Sequence, residues 1–79
     1  MSGGHFDYKC FHIADFADEL ERAISKNSHK FGEETLSHLV IVLEVLETAA
    51  ALAKEAEWLY SGDTGEDSFK SNVDRILAE

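Results

Sequence analysis

The sequence predicts an all-α domain, three helices in an up-down-up arrangement around one long central helix that also self-associates. Three observations carry this. The chain has no proline and is rich in Ala, Leu, Glu and Lys, which favour helix. The stretch Glu33–Tyr60 (EETLSHLVIVLEVLETAAALAKEAEWLY) has neither Gly nor Pro and spaces its apolar residues at helical intervals. That stretch also has more apolar circumference than two short helices can cover.

Residues 1–79 make a single domain. A chain this short buries a modest core, so a metal, a disulfide or self-association commonly supplements it. Cys10 is the single cysteine, which excludes an intrachain disulfide. Five Phe, two Tyr and one Trp, with 44% hydrophobic residues, mark a folded chain rather than a disordered one. Sixteen acids against seven Lys and Arg give a formal charge of -9. That balance favours basic protein partners and opposes direct binding to nucleic acid or anionic membranes. The N-terminus lacks the basic-then-apolar pattern of a signal peptide. The longest unbroken apolar run, residues 39–43, is too short to span a bilayer. The expected location is the cytosol, with no membrane partner.

Residues 1–10 form an N-terminal aromatic segment, in which Gly3 and Gly4 precede Phe6 and Tyr8 around Asp7. Such rings usually dock against something. A first helix is expected over residues 11–25. Ile13, Phe16, Ala17, Leu20, Ala23 and Ile24 share its inner face, while Asp15, Asp18, Glu19, Glu21 and Arg22 take the outer one. Residues 26–32 read as a loop ending in Gly32 as N-cap. Phe31 and Leu36 then occupy the positions of a hydrophobic staple, and Glu33 and Glu34 suit the positive end of the next helix.

The central helix, 33–60, carries two seams. One is Leu36, Leu39, Leu43, Leu46, Ala50, Ala53 and Tyr60; the other is Val42, Val45, Ala49, Leu52, Ala56 and Leu59. They lie about 100° apart, so one partner helix covers one seam and the other needs a further helix or a second subunit. Ser37, Glu44, Glu47, Thr48 and Glu55 form the expected solvent stripe. The helix should be roughly 42 Å long at about 1.5 Å per residue. A compact globule of this chain length is only about 30 Å across. The excess length is a second argument for self-association.

Ser61, Gly62, Asp63, Thr64 and Gly65 punctuate the chain. Gly62 suits the left-handed position that ends a helix. Thr64 with Asp67 resembles a capping box, predicting a last helix over 64–78 with Phe69, Val73, Ile76 and Leu77 on one face.

Several groups of residues invite chemical readings. His5, Cys10 and His12 include zinc-type ligands, but a structural site wants four, usually in paired short spacings, and no second pair exists. Asp15 with Asp18 and Glu44 with Glu47 place carboxylate pairs on helical faces, as in helical magnesium-dependent nucleotide pyrophosphohydrolases. Both fall on faces assigned to solvent. Cys10 has no activating base beyond His12. The expectation is therefore no catalytic residue, no metal and no cofactor. The loop over 61–67 has glycines and hydroxyls that suit an anion, yet Asp63, Glu66 and Asp67 oppose one, and a capped helix-helix turn accounts for it.

The segments 1–8 (MSGGHFDY) and 58–69 (WLYSGDTGEDSF), with IADFADELE at 13–21, carry a resemblance. The chain resembles a family of small proteins of tailed phages and prophages that begin MSGGHFDY and share a WLxSGDxGExSF stretch before a final short helix. The middle, 25–57, is similar only in helical pattern. The resemblance implies a setting, a virus inside a bacterial cytosol, and no mechanism.

In that setting a small acidic protein without catalytic residues fits an antagonist of anti-phage defence. One form is a sponge, an oligomer that sequesters a nucleotide immune signal in a pocket. Its expected ligand-binding residues are His5, Phe6, Asp7, Tyr8 and Lys9 from the N-terminus, with Trp58, Ser61, Gly62, Asp63, Thr64 and Gly65. Rings would stack on a base, while Lys9 and main-chain amides would hold phosphates. The other form is an acidic protein-binding inhibitor of a host nuclease or CRISPR-type complex. Aromatic and glycine residues concentrated in the two end motifs favour the pocket; net charge favours the inhibitor.

Overall fold

A computed structural model describes residues 6–27 and 29–78. Among them are three helices, α1 (Cys10–Lys26), α2 (Glu33–Tyr60) and α3 (Glu66–Ala78), and no strand. The central helix has the expected bounds, and α1 extends one residue further at each end. By contrast, α3 begins two residues later than the expected 64.

The reason lies in how α2 stops. Gly62 adopts φ +83 just past the helix end. Its N–H donates to the Leu59 carbonyl (3.2 Å), and the Asp63 N–H donates to the Trp58 carbonyl (2.9 Å). This pair of bonds is a Schellman motif. Thr64 also donates its N–H to Trp58 (3.3 Å), so it belongs to the turn that closes α2. The first bond into α3 runs from Phe69 N–H to the Gly65 carbonyl (2.9 Å), which makes Gly65, not Thr64, the N-cap. A Cβ at Gly62 would meet nothing within 4 Å, so its cost is conformational alone. Gly62→Ala is expected to destabilise the fold by about 1–2 kcal/mol in a urea titration. Gly65→Ala, at a position without positive φ, should cost less.

In the α1–α2 connection the Asn27 side chain bonds both main-chain groups of Phe31. Asn27 ends α1 in the left-handed conformation, φ 43, with its N–H on the Ala23 carbonyl. Its side-chain Nδ2 donates to the Phe31 carbonyl (3.3 Å), and its Oδ1 accepts from the Phe31 N–H (3.0 Å). Phe31, fixed in this way, lines a depression of about 210 Å³ with Leu36, Leu39, Leu20 and Ile24. Phe31 and Leu36 thus meet on one surface, as a staple requires. Gly32 is the N-cap of α2, extended at ψ 166.

Both flanking helices pack on α2, and α1 does not touch α3. The molecule measures 45 × 26 × 12 Å with a radius of gyration of 15.2 Å. A compact chain of this length would have a radius near 12 Å. The fold is therefore a slab one helix layer thick, whereas most domains bury their apolar faces between two.

That shape decides what is buried. On the first seam Leu43 and Ala50 are buried against α1, which contributes Ala17 and Cys10; Leu36, Leu39, Leu46 and Ala53 are half-buried and Tyr60 is exposed. On the second, Ala49, Leu52, Ala56 and Leu59 are half-buried, while Val42 and Val45 are exposed. Four further side chains differ from expectation. Phe16 and Ala23 on α1 and Leu77 on α3 are exposed, because a single layer leaves each flanking helix only one neighbour. Glu55, assigned to the solvent stripe, is only 6% exposed, because α3 returns over it and Asn72 Nδ2 donates to its Oε1 (2.9 Å).

The exclusion of a bilayer-length segment also needs correction. By length and composition α2 suffices to cross a membrane: an 18-residue window has mean hydropathy 1.8, at most 2 charged residues and 6% burial. Counting only unbroken apolar residues missed this, since Glu44 and Glu47 interrupt the run without lowering the average enough.

Candidate functional site

The two end motifs meet at one residue that neither contains. Glu57, on the last two turns of α2, is 1% exposed. Its Oε2 accepts the main-chain N–H of Phe6 (2.9 Å) and the hydroxyl of Ser61 (3.0 Å). The first bond ties the N-terminal aromatic segment to α2; the second fixes the first residue of the Gly62 turn to the same carboxylate. Phe6 then sets its ring edge-on against Tyr60, centroids 5.2 Å apart. Such aromatic contacts are worth about 0.5–1.5 kcal/mol beyond the area buried.

The other carboxylate oxygen, Oε1, is buried with no hydrogen-bond partner. Leaving a buried acceptor unmade costs about 1–3 kcal/mol, and more for a charged one. Glu57 also lines a depression of about 290 Å³ with Phe6, Lys9, Cys10, Ile13, Ala53 and Ala56. The walls are small and apolar, Phe6 supplies an aromatic surface, and exposed Lys9 supplies a cation. A volume near 300 Å³ is at the lower end of small-ligand sites.

The local backbone aims the N-terminal residues. Asp7 and Tyr8 both have positive φ, 56 and 59, forming a tight left-handed turn ahead of α1. Asp tolerates that region; for Tyr it is an uncommon, strained conformation. The turn is closed by Lys9 N–H on the Phe6 carbonyl (3.1 Å) and Phe11 N–H on the Tyr8 carbonyl (3.0 Å). It stacks Tyr8 on Phe11 at 6.1 Å, and Lys54 Nζ lies 5.7 Å from the centre of the Phe11 ring. An aromatic-cation array therefore stands beside the depression, with Lys54 from α2 as a second cation.

Of the residues expected to bind ligand, His5 lies outside the described residues. Phe6 and Lys9 line the depression, and Ser61 reaches it through Glu57. Asp7 and Tyr8 are exposed on the adjoining turn. Trp58 supplies its carbonyl to the Gly62 turn and is not among the lining residues. Gly62, Asp63 and Thr64 spend their N–H groups on the Leu59 and Trp58 carbonyls. Those amides are consequently unavailable to a phosphate, which removes the anion-binding role expected of them. Gly65 acts as a helix cap.

Cys10 is buried and His12 exposed, so neighbours in sequence diverge in the fold. Asp15, Asp18, Glu44 and Glu47 are all exposed. Among the described residues no group of three or more His, Cys, Asp or Glu is placed to hold a metal ion.

Glu57 was missed by reading its charge before its position. The first seam steps by three and four from Leu36 to Ala53, and the next two steps are 57 and 60. An acid at a seam position is the available signal, since Glu is almost never fully buried without a partner. In comparison with known proteins, the chain matches no family model, no curated protein and no solved structure.

Proposed function

We propose that this chain is a non-enzymatic, self-associating binding protein that sequesters a small nucleotide signal, acting for a phage against bacterial defence. The observation that supports this most is the convergence of both end motifs on Glu57 beside an apolar depression with an aromatic wall and Lys9. A base would lie against Phe6, with its phosphate toward Lys9. The bare face of α2 provides contact between copies, and the phage setting comes from the sequence resemblance.

The test is direct. Protein purified after exposure to a mixture of cyclic and linear nucleotides, then denatured, should release an intact nucleotide identifiable by mass spectrometry. If nothing is released and a basic host complex co-purifies instead, the sponge reading fails.

That outcome would support the second reading, an acidic inhibitor of a host nuclease or CRISPR-type complex. Its supporting observations are the charge of -9 and the exposed side chains Ile41, Val42 and Val45, which together suit a basic, partly apolar partner. Both readings place the protein in the host cytosol, with the apolar face of α2 covered by protein rather than lipid. Recovery of the expressed chain in the membrane pellet, not the supernatant, would contradict that location.

A further inference from the structure

We infer that Glu57 reads the base of the nucleotide and that the base is guanine; this rests on the sequestration reading above. Oε2 already accepts two donors, from Phe6 and Ser61, while Oε1 is buried and accepts none. The site therefore lacks a donor, not an acceptor. A phosphate cannot fill it, since two anionic oxygens repel; the group that completes Glu57 carries N–H.

The walls narrow the choice. Phe6, Cys10, Ile13, Ala53 and Ala56 form an apolar surface suited to a flat ring, and Lys9 is the charged residue best placed for a phosphate. The ligand is thus oriented with its base toward Glu57 and its phosphate toward Lys9. Among bases, adenine and cytosine each present an amino group beside a ring-nitrogen acceptor, and uracil flanks its single N–H with carbonyls. None of the three places two donors side by side on one edge. Guanine presents two adjacent donors, the ring N1–H and the amino N–H, on one edge, matching the two lone pairs of Oε1. Access requires a small outward movement at Phe6, the lining residue that Glu57 itself holds.

Calorimetric titration of the full chain with the four ribonucleoside monophosphates, and with the cyclic dimers of GMP and AMP, tests this. Guanine compounds should bind at least about tenfold more tightly than their adenine counterparts, the discrimination a bidentate base contact gives. Glu57→Gln turns the free acceptor into an amide donor while leaving an oxygen for Phe6 and Ser61. It should lose about tenfold or more in affinity for the guanine compound. The same loss should appear on the unaltered protein with an N1-methylated guanine, which keeps the result independent of how the variant folds. Equal binding of guanine and adenine compounds, or indifference to both Glu57→Gln and N1-methylation, would overturn the assignment while leaving nucleotide sequestration intact. Failure of every nucleotide to bind would remove sequestration, and the base assignment with it.

Discussion

Lysine at Ile41 and Val45 together is expected to reduce the protein to a monomer of 8.8 kDa in sedimentation or light scattering, from a larger wild-type mass. Ile41 is 56% and Val45 63% exposed in the single chain, and Val40 and Val42 beside them are exposed as well. These side chains lie on the half of α2 opposite the Gly62 turn. Val45 lines a shallow depression with Ala49 and Leu52, flanked by Glu44 and Thr48, whose surface is mostly apolar. Burying a Val or Ile side chain fully is worth about 1.5–3 kcal/mol. In a two-fold interface each residue counts twice. Charging both positions therefore forfeits several times the 1.4 kcal/mol that makes a tenfold change in association. Glu19→Lys, on the exposed face of α1, is the control and should leave the mass unchanged. A wild-type protein that sediments as a strict monomer would end this account of α2.

The same geometry explains which parts of the molecule could be read from its sequence. The bounds of α2 were legible because Gly32 and Gly62 punctuate it and nothing inside it breaks a helix. The spacing of its two seams was legible as well; in the fold the second is half-buried at Ala49, Leu52, Ala56 and Leu59 and exposed at Val42 and Val45. The exposure of Phe16, Ala23 and Leu77 and the burial of Glu55 were not legible, since periodicity gives the apolar face of each helix but not how far a neighbour extends along it. Glu55 became buried only because α3 turns back along α2, a consequence of where the Schellman turn aims the chain. The start of α3 was misplaced because Thr64 has a capping side chain, while its N–H had been committed to Trp58. At the candidate site, composition singled out the two segments that meet at Glu57, but not Glu57 itself. A main-chain N–H from Phe6 is a donor with no sequence signature, and it chose a carboxylate 51 positions away. The loop amides were misassigned for the complementary reason: glycine content suggests free N–H groups, whereas closing a long helix consumes them.

Glu57→Ala should be among the most destabilising single changes in the chain and should also release the N-terminal segment. The carboxylate holds the Phe6 N–H and the Ser61 hydroxyl, and hydrogen bonds to such a group contribute about 1.5–3 kcal/mol each. Against that loss, alanine removes the buried Oε1, whose lack of a partner costs about 1–3 kcal/mol. The balance is a net loss of about 2–3 kcal/mol at the centre of a range from about 0 to 5 kcal/mol. A chain of this length has only about 4–12 kcal/mol of total stability to lose. The corresponding change at Glu55 makes the comparison informative. Glu55 is buried to a similar degree but holds a single side-chain donor, Asn72, so Glu55→Ala should cost about 1.5–3 kcal/mol and leave Phe6 in place. Urea titrations give the two stabilities, and the chemical shifts of the Tyr60 ring report whether Phe6 still packs edge-on against it. If Glu57→Ala stabilised the protein and left the Tyr60 signals unmoved, the unpartnered oxygen would outweigh both bonds. The carboxylate would then be retained at a cost to stability that only a bound partner offsets, whereas the expected loss makes it first the clamp that assembles the site.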